Sequence, residues 1–118
     1  MAVQMASRDV DGVTILDLKG KLLLGEGASM LREGVRACLN HNDKVVINLE
    51  GVDYIDSAGL GELVGAHASA ASRGAAIALM KVNDRVHGLL RVTKLYSVFA
   101  VYDDEASAVA GLKQQTAG

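Results

Sequence analysis

The run Lys44-Val45-Val46-Ile47-Asn48-Leu49 constrains this chain more than any other stretch. It is nearly continuous in apolar and β-branched residues, and such a strand needs cover on both faces, as in a parallel sheet flanked by helices. Parallel strands need helical crossovers, and helical periods stand on either side of the run. Before it, Met30, Leu31, Val35, Cys38 and Leu39 recur at helical spacing with Arg32, Glu33 and Arg36 between them, ending at the loop-forming Asn40-His41-Asn42-Asp43. After it, Leu60, Leu63, Val64, Ala68 and Ala71 mark a second helix, closed by Gly74 at the position after the C-cap.

The alternation continues to the end of the chain. Ala75 to Met80 is a run of strand length, and Asn83 or Asp84 caps a short helix carrying Val86, Leu89 and Leu90. Val98 to Tyr102 reads as a strand, and Asp103-Asp104-Glu105 opens a last helix through Ala106, Val109 and Leu112, with its acids on the positive end of the dipole. At the start, Val3 to Ala6 and Val13 to Leu18 flank Asp11-Gly12, a strong hairpin signal. The predicted class is α/β: one domain with a mostly parallel mixed β-sheet, an N-terminal β-hairpin contributing an antiparallel edge strand, and about four α-helices. The domain spans residues 1–113, and Lys113 leads into a polar tail, 114–118, expected to fray.

A chain of 118 residues suits one domain. Aromatic residues are 3% with no Trp, so the core is aliphatic and a base-stacking surface is not expected. The net charge is −2 with Lys and Arg scattered, which argues against a nucleic-acid partner. Cys38 stands alone, so neither an internal disulfide nor a cysteine metal cluster is expected. No apolar stretch approaches the roughly 20 residues of a membrane span, and a signal peptide is not expected. The expectation is a cytoplasmic domain without direct membrane insertion, a monomer or weak dimer.

The segment from Val52 to Gly65 runs from the end of the buried strand into a helix, where open α/β sheets bind ligands and partners. Ser57 falls at the predicted N-cap, beside free backbone N–H groups at the positive end of a dipole that favours a phosphoryl group. Gly59 and Gly61 leave the backbone unshielded, so that a partner can approach closely. An ordinary capping serine would fit the same pattern. Enzyme signatures fail: Gly59-Leu60-Gly61 lacks a third glycine at the dinucleotide spacing, where Val64 stands, and Ser57 has no flanking glycine elbow. His67 lies at the edge of an apolar stripe, His87 off its helix's apolar face in solvent, and His41 in a loop, none at a zinc spacing. Cys38 points with Val35 and Leu39 into the core.

Tyr54-Ile55-Asp56-Ser57-Ala58-Gly59-Leu60-Gly61 resembles the signature loop of STAS domains, the family of bacterial anti-sigma factor antagonists. Val45 to Val52 resembles the strand entering that loop, Leu18-x-Gly20-x-Leu22 the second strand and its turn, and Val92 to Phe99 the third helix running into the last strand. The resemblance implies a phosphorylation switch in transcription regulation. Ser57 would be phosphorylated by an anti-sigma factor that is itself a serine kinase, and restored by a serine/threonine phosphatase. Unphosphorylated, the domain would bind the anti-sigma factor and free a sigma factor, through Asp56, Ser57, Ala58, Gly59, Leu60 and Gly61. It would be a substrate rather than an enzyme, with no catalytic residue, cofactor or metal of its own.

Two positions differ from the family pattern. Ala58 stands where a second hydroxyl is common, and the turn Lys21-Leu22-Leu23-Leu24-Gly25-Glu26-Gly27 is apolar where an acid is usual. Leu23 and Leu24 are therefore expected to be an exposed interface anchor. Relatives with a similar loop serve as accessory subunits of lipid-transport ABC systems or as stress-signalling scaffolds, a second reading. A nucleotide-binding domain, resting on the glycine loop alone, is a third.

Overall fold

The computed structural model, which describes residues 3–116, opens with the expected hairpin. Strands β1 (Gln4–Val10) and β2 (Val13–Leu22) pair antiparallel around Asp11 and Gly12, whose φ of 54° and 84° make the two-residue turn that matches strand twist. Helix α1 (Glu26–His41) then crosses to β3 (Lys44–Ile55), α2 (Ser57–Ser72) to β4 (Ala76–Met80), and α3 (Asp84–Val92) with a 3₁₀ turn at Leu95–Ser97 to β5 (Ala100–Tyr102). Strands β2 to β5 are parallel neighbours in sequence order, with β1 at one edge, and α4 (Glu105–Thr116) closes the chain.

Alternate residues of each strand serve two cores. Leu16, Leu18, Val45, Ile47, Leu49, Ile77 and Leu79 face α1, α2 and α3, where Leu31, Val35, Leu39, Leu63, Val86 and Leu90 bury against them. Val13, Ile15, Val46, Ala78 and Met80 face Ala108, Val109 and Leu112 of α4. Each large aliphatic side chain removed from water contributes about 1.5–3 kcal/mol, so β3, apolar on both faces, is the centre of the fold. Among the described residues no helix is long and apolar enough to cross a membrane.

Several local expectations are corrected. The long turn predicted over Lys21 to Gly27 shrinks to Leu23–Gly25, because Lys21 and Leu22 extend β2 and Glu26 and Gly27 already belong to α1. Strand β5 starts at Ala100 instead of Val98, since the Val98 and Phe99 amides both donate to the Leu95 carbonyl (3.0 and 3.2 Å) and hold the 3₁₀ turn. Helix α4 continues past Lys113 to Thr116, with the Lys113 ammonium 2.7 Å from Asp11 Oδ2. The rest of the expected tail, Ala117 and Gly118, lies outside the described residues.

The histidines are also re-placed. His41 is the last residue of α1, 3.1 Å from Asp9 Oδ2, not a loop residue. His87 is half-buried, stacked on and hydrogen-bonded to Tyr96, where solvent had been expected. His67 does lie at a boundary, half-buried and edge-on to Phe99 at 5.5 Å. Cys38 is buried as expected, and burial pushes its thiol pKa up. Asn83, not Asp84, caps α3, its side chain accepting from the Val86 amide at 2.9 Å. Gly74 follows α2 with a φ of 74°, the left-handed conformation that glycine takes without strain.

Candidate functional site

The register of β2 against β3 builds the site. Leu22 lies beside Ile55 and Lys21 beside Tyr54, after a shift at Gly20, whose φ of 113° bends the strand. This lines up the carboxyl ends of the two strands and brings the loop Leu23–Gly25 against the start of α2. The Asp56 amide donates to the Leu22 carbonyl at 3.3 Å. The Asp56 carboxylate accepts from the Gly59 amide at 3.0 Å and from the Leu24 amide at 2.9 Å. Those donors, Gly59 first, hold the carboxyl below the usual carboxylate range.

Asp56, not Ser57, is therefore the N-cap, with an extended backbone (φ −104°), and Ser57 is the first helical residue. The one-position correction has a simple cause: the acid's carboxylate takes the N–H three residues on, so the serine hydroxyl is not needed there. Ser57 is exposed, and its hydroxyl has no hydrogen-bond partner among the described residues. The positive end of α2 is already engaged by a carboxylate, so the fully free donors expected beside Ser57 are not all available.

The other predicted contact residues divide by burial. Leu24 is 82% exposed and Leu23 39%, and together they form an apolar projection next to Asp56. Gly61 is exposed with nothing within 4 Å of a would-be Cβ, and Ala58 is half-buried. Gly59 and Leu60 are buried and face the chain's own core, which corrects their assignment to a partner surface. A Cβ at Gly59 would strike the Leu22 carbonyl oxygen and stand 2.8 Å from Ile55 Cγ1, so this glycine lets α2 approach β2 rather than a partner approach α2.

Sequence reasoning missed a neighbouring cluster. Tyr54 is 43% exposed, with the Arg85 guanidinium 4.0 Å from its ring centroid and the Lys21 ammonium at 5.7 Å. Asn83 fastens the start of α3 beside it by donating to the Val52 carbonyl at 2.8 Å. The available signal was topological: Arg85 opens the helix after β4, at the same end of the sheet. The assembled surface is an exposed hydroxyl, an adjacent carboxylate, an apolar projection and an aromatic ring between two cations. It offers groups for recognition by another macromolecule.

A family model described as the STAS domain matches residues 4–108. The anti-sigma F factor antagonist of Paenibacillus polymyxa is 28% identical over 115 residues, covering 96% of this chain and 97% of its own length. The crystal structure of a Thermotoga maritima protein, provisionally named an anti-sigma factor antagonist, matches with a TM-score of 0.84 at 30% identity, over 92% of this chain and 94% of that one. The anti-sigma factor antagonist SpoIIAA shares the fold in its unphosphorylated form (TM-score 0.70, 14% identity, 96% of this chain and 98% of that one). Its phosphorylated form, from Bacillus, does so too (TM-score 0.69, 15% identity, 93% and 98%).

Proposed function

The chain belongs to the STAS domain family, and from that premise we propose that it is an anti-sigma factor antagonist switched by phosphorylation at Ser57. The observation that carries the reading is the state of Ser57: exposed, without a hydrogen-bond partner among the described residues, and held as the first residue of α2 directly after Asp56, whose carboxylate caps that helix and fastens the neighbouring Leu23–Gly25 loop. A kinase needs such a hydroxyl, and a binding partner needs such a rigid loop. The full-length likeness to a named antagonist supports the same assignment, as does the existence of SpoIIAA in both phosphorylation states. In this reading the partner is an anti-sigma factor with serine-kinase activity, a serine/threonine phosphatase resets the switch, and the domain works in the cytoplasm as a substrate.

The physics of the switch is local. A phosphoserine adds about −1.5 to −2 charges. Asp56 already supplies one negative charge next door and already takes the Gly59 N–H. The new charge is therefore turned outward, toward whatever packs on Leu24 and Ser57. There it imposes repulsion and desolvation on a bound partner while the fold stays intact. A thousandfold loss of affinity corresponds to about 4.1 kcal/mol, within reach of one unpaired double charge at an interface.

The test is the affinity of the cognate anti-sigma factor for wild type, Ser57→Ala, Ser57→Asp and the enzymatically phosphorylated chain. Ser57→Ala should bind constitutively and take up no phosphate, and the charged forms should bind weakly. Equal affinities across the four, or phosphate entering Ser57→Ala, would overturn the switch and favour an accessory-subunit role.

A further inference from the structure

We propose that the cleft between α1 and α2 is a second docking surface, for an acidic helical segment of a partner protein. Arg32 and Arg36 of α1 and Arg73, just past the end of α2, line it against a single carboxylate, Glu62. All three arginines are exposed. Arg32 leans on Glu62 at 3.8 Å, while Arg73 donates to the Leu39 carbonyl at 3.3 Å, so Arg36 and Arg73 have no acidic partner among the described residues. This local positive excess stands on a chain whose net charge is −2. Unneutralised cations steer and orient an acidic partner.

The spacing of the charges selects the occupant. Arg32 and Arg36 stand one turn apart, about 6 Å along the axis, and Arg73 follows Glu62, which faces Arg32, by eleven residues, or roughly 16 Å. A single phosphate would meet one end of that row. A helix with acids at i, i+4 and i+11 keeps them within about 40° of one another and meets all three. The floor agrees: Val35 and Leu39 are buried, Gly65 and Ala66 are small, and a Cβ at Gly65 would meet nothing within 4 Å, so another helix backbone can settle closely. On α2 the cleft begins at Glu62, more than a turn beyond Ser57.

The experiment is an NMR titration of the isotope-labelled full chain with a synthetic alanine-rich helix of about 16 residues carrying glutamates at i, i+4 and i+11. A scrambled isomer and inorganic phosphate serve as comparisons. Saturable shifts over Arg32–Asn40 and Glu62–Arg73 are expected, weakened by salt and absent with the scrambled isomer. R36E/R73E should lower the affinity about tenfold or more. G65L, which fills the floor without changing charge, should also lose binding, and R36A provides a milder charge variant should the double reversal unfold. Absence of these shifts, equal binding of the scrambled isomer or full binding by both folded charge variants would overturn the proposal. So would displacement of the peptide by phosphate alone, which marks a small-anion site, or cleft shifts on simple dilution, which mark a second copy of this chain.

Discussion

The Asp56 carboxylate and the Leu24 amide, 32 residues apart in sequence, meet at 2.9 Å. The same carboxylate caps α2 through Gly59. One side chain thus fixes the exposed Leu24 and the exposed Ser57 relative to each other, and a change at position 56 loosens both.

Asp56→Ala should lower the melting temperature by a few degrees and weaken partner binding per folded molecule by a larger factor, because the lost bonds order the contact loop more than the core. Asp56→Asn, which keeps one acceptor oxygen for the Gly59 amide, should melt closer to wild type yet still bind weakly. Thermal melts alongside binding isotherms check this. Retained affinity with a large melting shift would make Asp56 purely structural.

Gly59 and Gly61, two residues apart on α2, should respond to alanine in opposite directions. Gly59→Ala drives a Cβ into the Leu22 carbonyl and should destabilise by about 1–3 kcal/mol. Gly61→Ala places a methyl in open space and should stabilise the helix by up to about 1 kcal/mol. Urea denaturation of the two variants decides it. Equal effects would contradict the close approach of α2 to β2.

Leu24→Ser should leave the stability within about 0.5 kcal/mol of wild type, since the side chain is 82% exposed. Partner affinity should fall about tenfold if this leucine anchors the interface. Isothermal calorimetry with the cognate anti-sigma factor measures it, and unchanged affinity removes Leu24 from the interface.

Acid should destabilise the fold through a group of depressed carboxyls. Asp17 is lowered chiefly by the hydrogen bond from Arg8, Glu105 by the same guanidinium, Asp9 by Thr14, Asp56 by the Gly59 amide and Asp104 by Ser107. Each folded-state value lies below the ordinary 3.8 (4.5 for Glu105), so the contribution is fully present above those values and is lost as pH falls through the folded ones. Stability should be flat from neutrality to about pH 5 and drop below about pH 4. Arg8→Gln, which removes the guanidinium bridging Asp17 and Glu105, should flatten that drop. An unchanged acid profile in this variant would show that the bridge does not contribute.

The order of elements was legible in the residues alone. Continuous apolarity at Val45–Leu49, helical spacing at Val35 and Leu39, and Asp11-Gly12 all report local demands: two-sided burial, one buried stripe, a turn with positive φ. Ser57 and Asp56 were found as a pair, and the exposure of Leu24 was expected. The exchange of roles between them was not visible, because both residue types cap helices well and only the position of the Gly59 amide chooses. Likewise Gly59 and Gly61 look alike in sequence. What separates them is the register that sets Leu22 beside Ile55, closing the space above one glycine and leaving it open above the other. Local pattern decided which elements form, since periodicity and capping act within a few residues. The tertiary structure decided which atoms of the loop face the core, which face solvent and which cations flank Tyr54, since those depend on strand register and helix approach between segments some thirty residues apart.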